Sequence, residues 1–93
     1  MIEDVDIHPR IFERHPELSE DDVRDAWASC FVSAPRLNRD RLEFISIGLD
    51  SNFRNVEMIS RQQADESWLI YHAQTPPSEK VLKELGLLKR GKK

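Results

Sequence analysis

The sequence predicts an α+β domain: two N-terminal helices, then a three- to four-stranded antiparallel meander sheet and a short C-terminal helix. Apolar residues recur with helical spacing in the first third of the chain, and β-branched and aromatic residues form three runs over 42–73. Helical spacing returns after residue 75. A chain of 93 residues can bury one modest core, so we expect a single domain with its core over about 7–88 and a frayed basic tail at 89–93.

Two helices are predicted at the start of the chain. Residues 7–15 carry two isoleucines four positions apart, and Pro16 ends this segment. Residues 20–31 follow Ser19, a favourable N-cap, and begin with three acidic residues that suit the helix dipole. The apolar stripe of this second helix is Val23, Ala26, Trp27, Cys30 and Phe31. Cys30 is the only cysteine, so we expect a buried thiol and no internal disulfide.

Three strands with short turns are predicted next. Residues 42–48 are apolar on both faces, as in a central strand, whereas residues 54–61 alternate between an apolar and a mostly polar face. Residues 68–73 complete the meander. Alternation in this last strand would put Trp68, Ile70 and His72 on one face and Leu69, Tyr71 and Ala73 on the other. The polar segment 33–40 contains Pro35 and is interpreted as a connection or a weak edge strand.

The C-terminal helix has predicted boundaries at both ends. Thr75 can cap it with Pro76 at its first position, and Gly86 is placed to end it as the C′ residue. Leu87 could then reach back to Leu82. The apolar stripe of this helix is Val81, Leu82 and Leu85.

Composition and charge exclude several classes of protein. The chain is 39% hydrophobic and 33% charged, as a folded globular protein would be. It lacks the roughly 20 consecutive apolar residues of a membrane helix and begins with acidic residues, so we expect a cytoplasmic protein without membrane association. The net charge is −3, yet basic residues collect at the end: Lys80, Lys83, Lys89, Arg90, Lys92 and Lys93. They form either a solvated face or a local basic surface for phosphate or for an acidic partner.

No motif points to a metal or a cofactor. The chain has no glycine-rich phosphate loop, no paired-histidine helix and no nucleophile elbow. Its three histidines, His8, His15 and His72, are not spaced as metal ligands with a carboxylate or a thiolate. We therefore expect no metal and no cofactor.

The candidate site residues lie where strands and helices end. His72 is beside Tyr71 at the end of the last strand, where it could be a hydrogen-bonded histidine at the edge of the core or a proton carrier. Metal-independent RNA cleavage needs a base for the 2′-hydroxyl, an acid for the leaving oxygen and cations for the phosphate. The candidates for catalysis are His72, Tyr71 and Arg54. The candidates for substrate binding are Arg14, His15, Arg61 and Lys80.

The order and spacing of several segments resemble those of the BrnT-type toxins of bacterial type II toxin–antitoxin systems, small relatives of the RelE ribonuclease fold. The similarity covers about residues 7–87. The matching segments are Glu13-Arg14-His15, Ser19-Glu20-Asp21-Asp22-Val23, Phe44-Ile45-Ser46-Ile47-Gly48, Arg54 and Leu69-Ile70. Tyr71-His72-Ala73-Gln74 stands where family members typically carry Ser-Ala-Arg, and the arginine position falls near Ala73.

The resemblance implies a ribonuclease toxin that cuts RNA, in some systems at the ribosome, and is neutralised by a cognate antitoxin protein. It also implies that toxin and antitoxin pair as oligomers. Two alternatives stay open at this point. The acidic composition and the missing arginine favour a non-catalytic protein-interaction domain, while the strand arginines and the basic end favour a nucleic-acid-binding regulator.

Overall fold

A computed structural model describes residues 5–38 and 41–87, which form a mixed sheet with helices on both of its faces. The described strands are β1 (Val5–Ile7), β2 (Val32–Asn38), β3 (Arg41–Leu49), β4 (Asn55–Gln62) and β5 (Trp68–Gln74). The described helices are α1 (Arg10–Arg14), α2 (Glu20–Ala28) and α3 (Glu79–Glu84). The predicted α+β class is therefore confirmed, while the predicted basic tail at 89–93 lies outside the described residues.

The sheet has five strands in the order β1-β5-β4-β3-β2. Strands β2 to β5 pair antiparallel with their sequence neighbours, whereas β1 pairs parallel with β5. The prediction of a purely antiparallel sheet preceded by two helices is thus wrong at the N-terminus. The segment 33–40 is interpreted from its sequence as a connection or a weak edge strand. Over the described residues 33–38 the edge strand is observed, because within residues 5–38 and 41–87 β2 pairs only with β3.

The predicted helix over 7–15 is divided between a strand and a helix because of Pro9. The residue before a proline is disfavoured in the helical region, so a helix cannot readily include His8. Ile7 instead pairs with Ile70 in β5, and the backbone N–H of His8 donates to the carbonyl of Ile70 at 2.9 Å. The helix begins only at Arg10, whose N–H donates to Nδ1 of His8 at 3.1 Å.

Helix α2 begins where predicted and ends three residues early. Ser19 Oγ accepts from the N–H of Asp22 at 3.1 Å while Asp22 accepts from the N–H of Ser19 at 2.9 Å, a capping box. At the other end Ser29 Oγ accepts from the N–H of Leu49 at 3.2 Å, which joins the helix end to β3. Cys30 and Phe31 therefore lie beyond the helix. Cys30 is only partly buried and Phe31 is 56% exposed, so their predicted burial is wrong.

Helix α3 begins later than predicted. Pro76 is followed by Pro77, which disfavours helical geometry at Pro76, and the N-cap is Ser78 rather than Thr75. The predicted C-terminus is confirmed: Gly86 has φ of +74°, and the N–H of Leu87 donates to the carbonyl of Leu82 at 2.8 Å. In the described part of the chain no helix is long and apolar enough to cross a membrane.

The two faces of the sheet are covered differently. On the first face α1 and α2 pack a core around Val23, Trp27, Val56, Met58 and Ile70. On the second face α3 packs Val81, with Leu82 and Leu85, against Ile45 and Ile47 of β3. Because α3 is short, it leaves part of the second face to polar side chains.

Gly48 sets the distance between α2 and the sheet. A Cβ at this position would overlap the backbone carbonyl of Ala26, which is fully buried. We expect Gly48→Ala to lower the free energy of unfolding by about 3 kcal/mol or more, because two backbone segments must separate to admit a methyl group. Urea unfolding compared with Gly86→Ala, which has open space but a positive φ, checks this. Equal losses in the two variants would contradict it.

Candidate active site

A β-bulge at Tyr71 sets the direction of the side chains at the end of β5. Ile59 of β4 pairs with His72, but the next residue, Ser60, pairs with Ile70, so Tyr71 is an extra residue in β5. His72 consequently shares the second face with Ile59, and Ile70 is on the first face. The predicted grouping of Trp68, Ile70 and His72 on one face is therefore wrong, because it assumed unbroken alternation.

The bulged end of β5 and helix α1 enclose a cleft of about 230 Å³. Its lining consists of Arg10, Ile11, Arg14, His15, Tyr71, His72 and Ala73. The rings of His15 and His72 meet edge to face with their centroids 6.1 Å apart. Four of the seven predicted site residues thus border one cleft. We call this cleft the histidine cleft.

The buried carboxylate of Glu57 is hydrogen-bonded to the ring of His72. Oε2 of Glu57 lies 2.7 Å from Nε2 of His72, and Oε1 accepts from the N–H of Ser78 at 2.7 Å and from its hydroxyl at 3.0 Å. Glu57 is only 2% exposed. Since an ionised carboxylate only accepts, Nε2 of His72 carries a proton in this contact, and in the neutral ring Nδ1 holds the lone pair. This arrangement prepares His72 to accept a proton through Nδ1.

The pKa of Glu57 follows from the same contacts. Burial disfavours the charged form, but the hydrogen bonds from His72 and Ser78 outweigh it and hold the pKa of Glu57 below its usual range. Glu57 is therefore an anion at neutral pH. The sequence pattern puts Glu57 on the mostly polar face of its strand. Its position between two apolar residues, Val56 and Met58, is the only signal in the sequence that sets it apart.

Tyr71 is hydrogen-bonded to a second buried carboxylate, that of Glu43. Its hydroxyl donates to Oε1 of Glu43 at 2.6 Å, and Arg36 approaches the same oxygen at 3.8 Å. Burial and the neighbouring Glu43 raise the pKa of Tyr71, so the phenol stays protonated at neutral pH. The guanidinium of Arg61 lies over the Tyr71 ring at 5.3 Å from its centroid. Tyr71 and Arg61 thus form the side of the second face next to the histidine cleft.

Arg54 has its donors engaged elsewhere. Its Nε donates to Asp50 at 2.7 Å, Nη2 donates to Asp22 at 3.1 Å, and Nη1 donates to the carbonyl of Glu17 at 3.3 Å. Burial opposes ionisation of Asp50, but hydrogen bonds from the backbone and side chain of Arg54 outweigh it and lower the pKa of Asp50. Through these hydrogen bonds Arg54 connects α2 to the turn before β4. It does not line the histidine cleft.

The remaining candidates are distributed over the surface. Lys80 is exposed on α3, and Arg61 borders a different cleft, at the start of β5. Arg10, which was not predicted, joins Arg14 on the wall of the histidine cleft. Across residues 5–38 and 41–87 no group of three or more histidine, cysteine or acidic side chains could hold a metal ion.

Comparison with known proteins gives no relative. No family model matches the chain, and neither a curated protein nor a solved structure does.

The anionic form of Glu57 should make stability depend on pH. Because its pKa is lowered on folding, its contribution is present above the unfolded-state pKa of about 4.3 and is lost as the pH falls through the lower folded-state pKa. We expect Glu57→Gln to lower the free energy of unfolding by about 2 kcal/mol at pH 7, and the difference from wild type to shrink below about pH 4.

Urea unfolding at a series of pH values measures this difference. The control is Glu79→Gln, because the side chain of Glu79 is 77% exposed on α3. A Glu57→Gln deficit that stayed constant from pH 7 to about pH 3 would contradict the assignment of an ionised, hydrogen-bonded Glu57.

Proposed function

We propose that the protein is a metal-independent ribonuclease that cuts single-stranded RNA at the histidine cleft. The observation that carries this proposal is the meeting of His15 and His72 in a cleft that also contains Arg10 and Arg14, with Glu57 behind His72. Two imidazoles can supply both proton transfers of internal transesterification, and two guanidiniums can hold the phosphate.

The reaction assigns one histidine to each proton. Nδ1 of His72 takes the proton of the 2′-hydroxyl, and the 2′-oxygen attacks the adjacent phosphorus. His15, protonated at the start, donates a proton to the departing 5′-oxygen as the P–O bond breaks. The products are a 2′,3′-cyclic phosphate and a 5′-hydroxyl. Arg10 and Arg14 stabilise the charge that develops on the phosphorane oxygens.

The other predicted roles follow from the contacts. Tyr71, with its hydroxyl bound to Glu43, acts as a positioning residue, since it helps to hold the bulge that presents His72. Arg54 maintains the turn before β4 through Asp50. Glu57 is also a positioning residue because it fixes the tautomer of His72. The proton role of Tyr71 and the phosphate roles of Arg54 and Lys80 stay predictions from the sequence.

The resemblance to BrnT-type toxins extends the proposal to a biological role. On this reading the protein is the toxin of a bacterial pair, acts on RNA in the cytoplasm, and is neutralised by a cognate antitoxin with which it forms oligomers.

A second candidate is a non-catalytic interaction domain. It is favoured by the cross-strand pair Leu37 and Leu42, which are 74% and 54% exposed.

Cleavage of a short labelled oligoribonucleotide in the presence of EDTA tests the chemistry. We expect wild-type protein to yield 2′,3′-cyclic phosphate ends and His72→Ala or His15→Ala to lose about 100-fold or more in rate. The matched control is His8→Asn, since His8 lies outside the cleft and asparagine keeps an acceptor for the Arg10 N–H. Absence of cleavage by folded wild-type protein would overturn the proposal and favour the interaction domain.

Growth arrest tests the biological role. We expect induced expression in bacteria to stop growth and His72→Ala, at equal protein level, to restore it, because the arrest depends on RNA cleavage. Co-expression of the small open reading frame adjoining the gene should also restore growth. Arrest that persists with His72→Ala would separate toxicity from the histidine cleft.

A further inference from the structure

A second cleft, of about 560 Å³, lies at the other end of β5. Two guanidiniums line it, Arg41 from the start of β3 and Arg61 from the end of β4. Leu42 and Leu69 supply its apolar lining and Gln62 and Gln63 part of its polar wall. We call it the arginine cleft. It is larger than the histidine cleft, and the two clefts share no lining residue.

Arg41 and Arg61 give the arginine cleft two positive charges. No described carboxylate forms an ion pair with Arg41 or Arg61 within residues 5–38 and 41–87. Glu43 lies directly opposite Arg61 in the register, but it accepts from the hydroxyl of Tyr71. Asp6 accepts from the amide of Gln63 at 2.9 Å. Two guanidiniums without such partners attract an anion with paired acceptor oxygens, such as a phosphate.

The geometry connects the two clefts. Arg61 lines the arginine cleft and lies over the ring of Tyr71, and Tyr71 borders the histidine cleft. Leu69 and His72 mark the two clefts along β5. Because Tyr71 is an extra residue, they pair with Arg61 and Ile59, which are two residues apart on β4, or roughly 7 Å along a strand. One short polynucleotide strand can therefore contact both clefts.

We propose that the arginine cleft binds a phosphodiester of the same RNA strand whose scissile phosphate lies in the histidine cleft, a few nucleotides away. Arg41 and Arg61 contact the phosphate, while Leu42 and Leu69 contact the sugar or base beside it. This inference rests on the proposed function for the scissile position. Its own content is an extended binding surface that favours longer RNA over dinucleotides.

Binding of a fluorescein-labelled 2′-O-methyl oligouridylate tests the arginine cleft without cleavage, because its 2′-oxygen cannot attack. We expect an Arg41→Gln/Arg61→Gln double variant to bind a long oligomer about tenfold more weakly and a dinucleotide as tightly as wild type does. The dependence of log K on log salt should fall by about 1.4, or 0.7 for each lost contact. The charge-matched control is Arg24→Gln/Lys83→Gln, which alters exposed cations outside both clefts.

The outcomes separate this inference from the proposed function. Binding that depends on Arg41 and Arg61 in a protein that does not cleave RNA would support the arginine cleft and overturn the ribonuclease. Cleavage by a protein whose binding is the same in the two double variants would support the ribonuclease and overturn the arginine cleft. Competition by inorganic phosphate as effective as that by the unlabelled oligomer would reduce the cleft to an anion site and overturn the RNA subsite.

Discussion

The carboxylate of Glu57 is hydrogen-bonded to His72 and to Ser78, and these bonds hold β4, β5 and α3 together on the second face of the sheet. Burying an ionised group is costly unless its lone pairs are satisfied, and here His72 and Ser78 satisfy them from β5 and from the start of α3. The same group therefore links three elements, selects the tautomer of His72 and fixes the residue at which α3 begins. Structure and proposed chemistry share one interaction, so neither can be altered without the other.

The arginines illustrate how position decides the role of a side chain. Arg54 is held by Asp50, Asp22 and a backbone carbonyl, whereas Arg61 stacks on Tyr71 and faces open space. The donors of Arg54 form hydrogen bonds within the fold, whereas no side-chain hydrogen bond from Arg61 is found among residues 5–38 and 41–87. The sequence alone treats them as equivalent ends of one strand, because the carboxylates that distinguish them come from distant elements.

Local signals made the helices and the antiparallel strands predictable in part. The Ser19 cap and the Gly86 stop act through neighbouring residues and were predicted correctly. β1 was missed because its three residues are stabilised by pairing with β5, far along the chain. The bulge at Tyr71 was missed because no residue type demands it. Four of the predicted site residues line the histidine cleft, but the sequence could not show that they lie together, because this depends on the bulge and on the placement of α1.

Within the part of the chain that the structure describes, β2 has no neighbouring strand on its outer side, and Pro35 lies at its centre. A proline in a strand has no N–H to offer, and β2 pairs with β3 throughout its length, so the missing donor falls on the outer edge. An incoming strand would meet an interrupted row of donors there. The exposed edge is thus protected from fibril-like addition of further copies, although Leu37 beside it would otherwise invite such association.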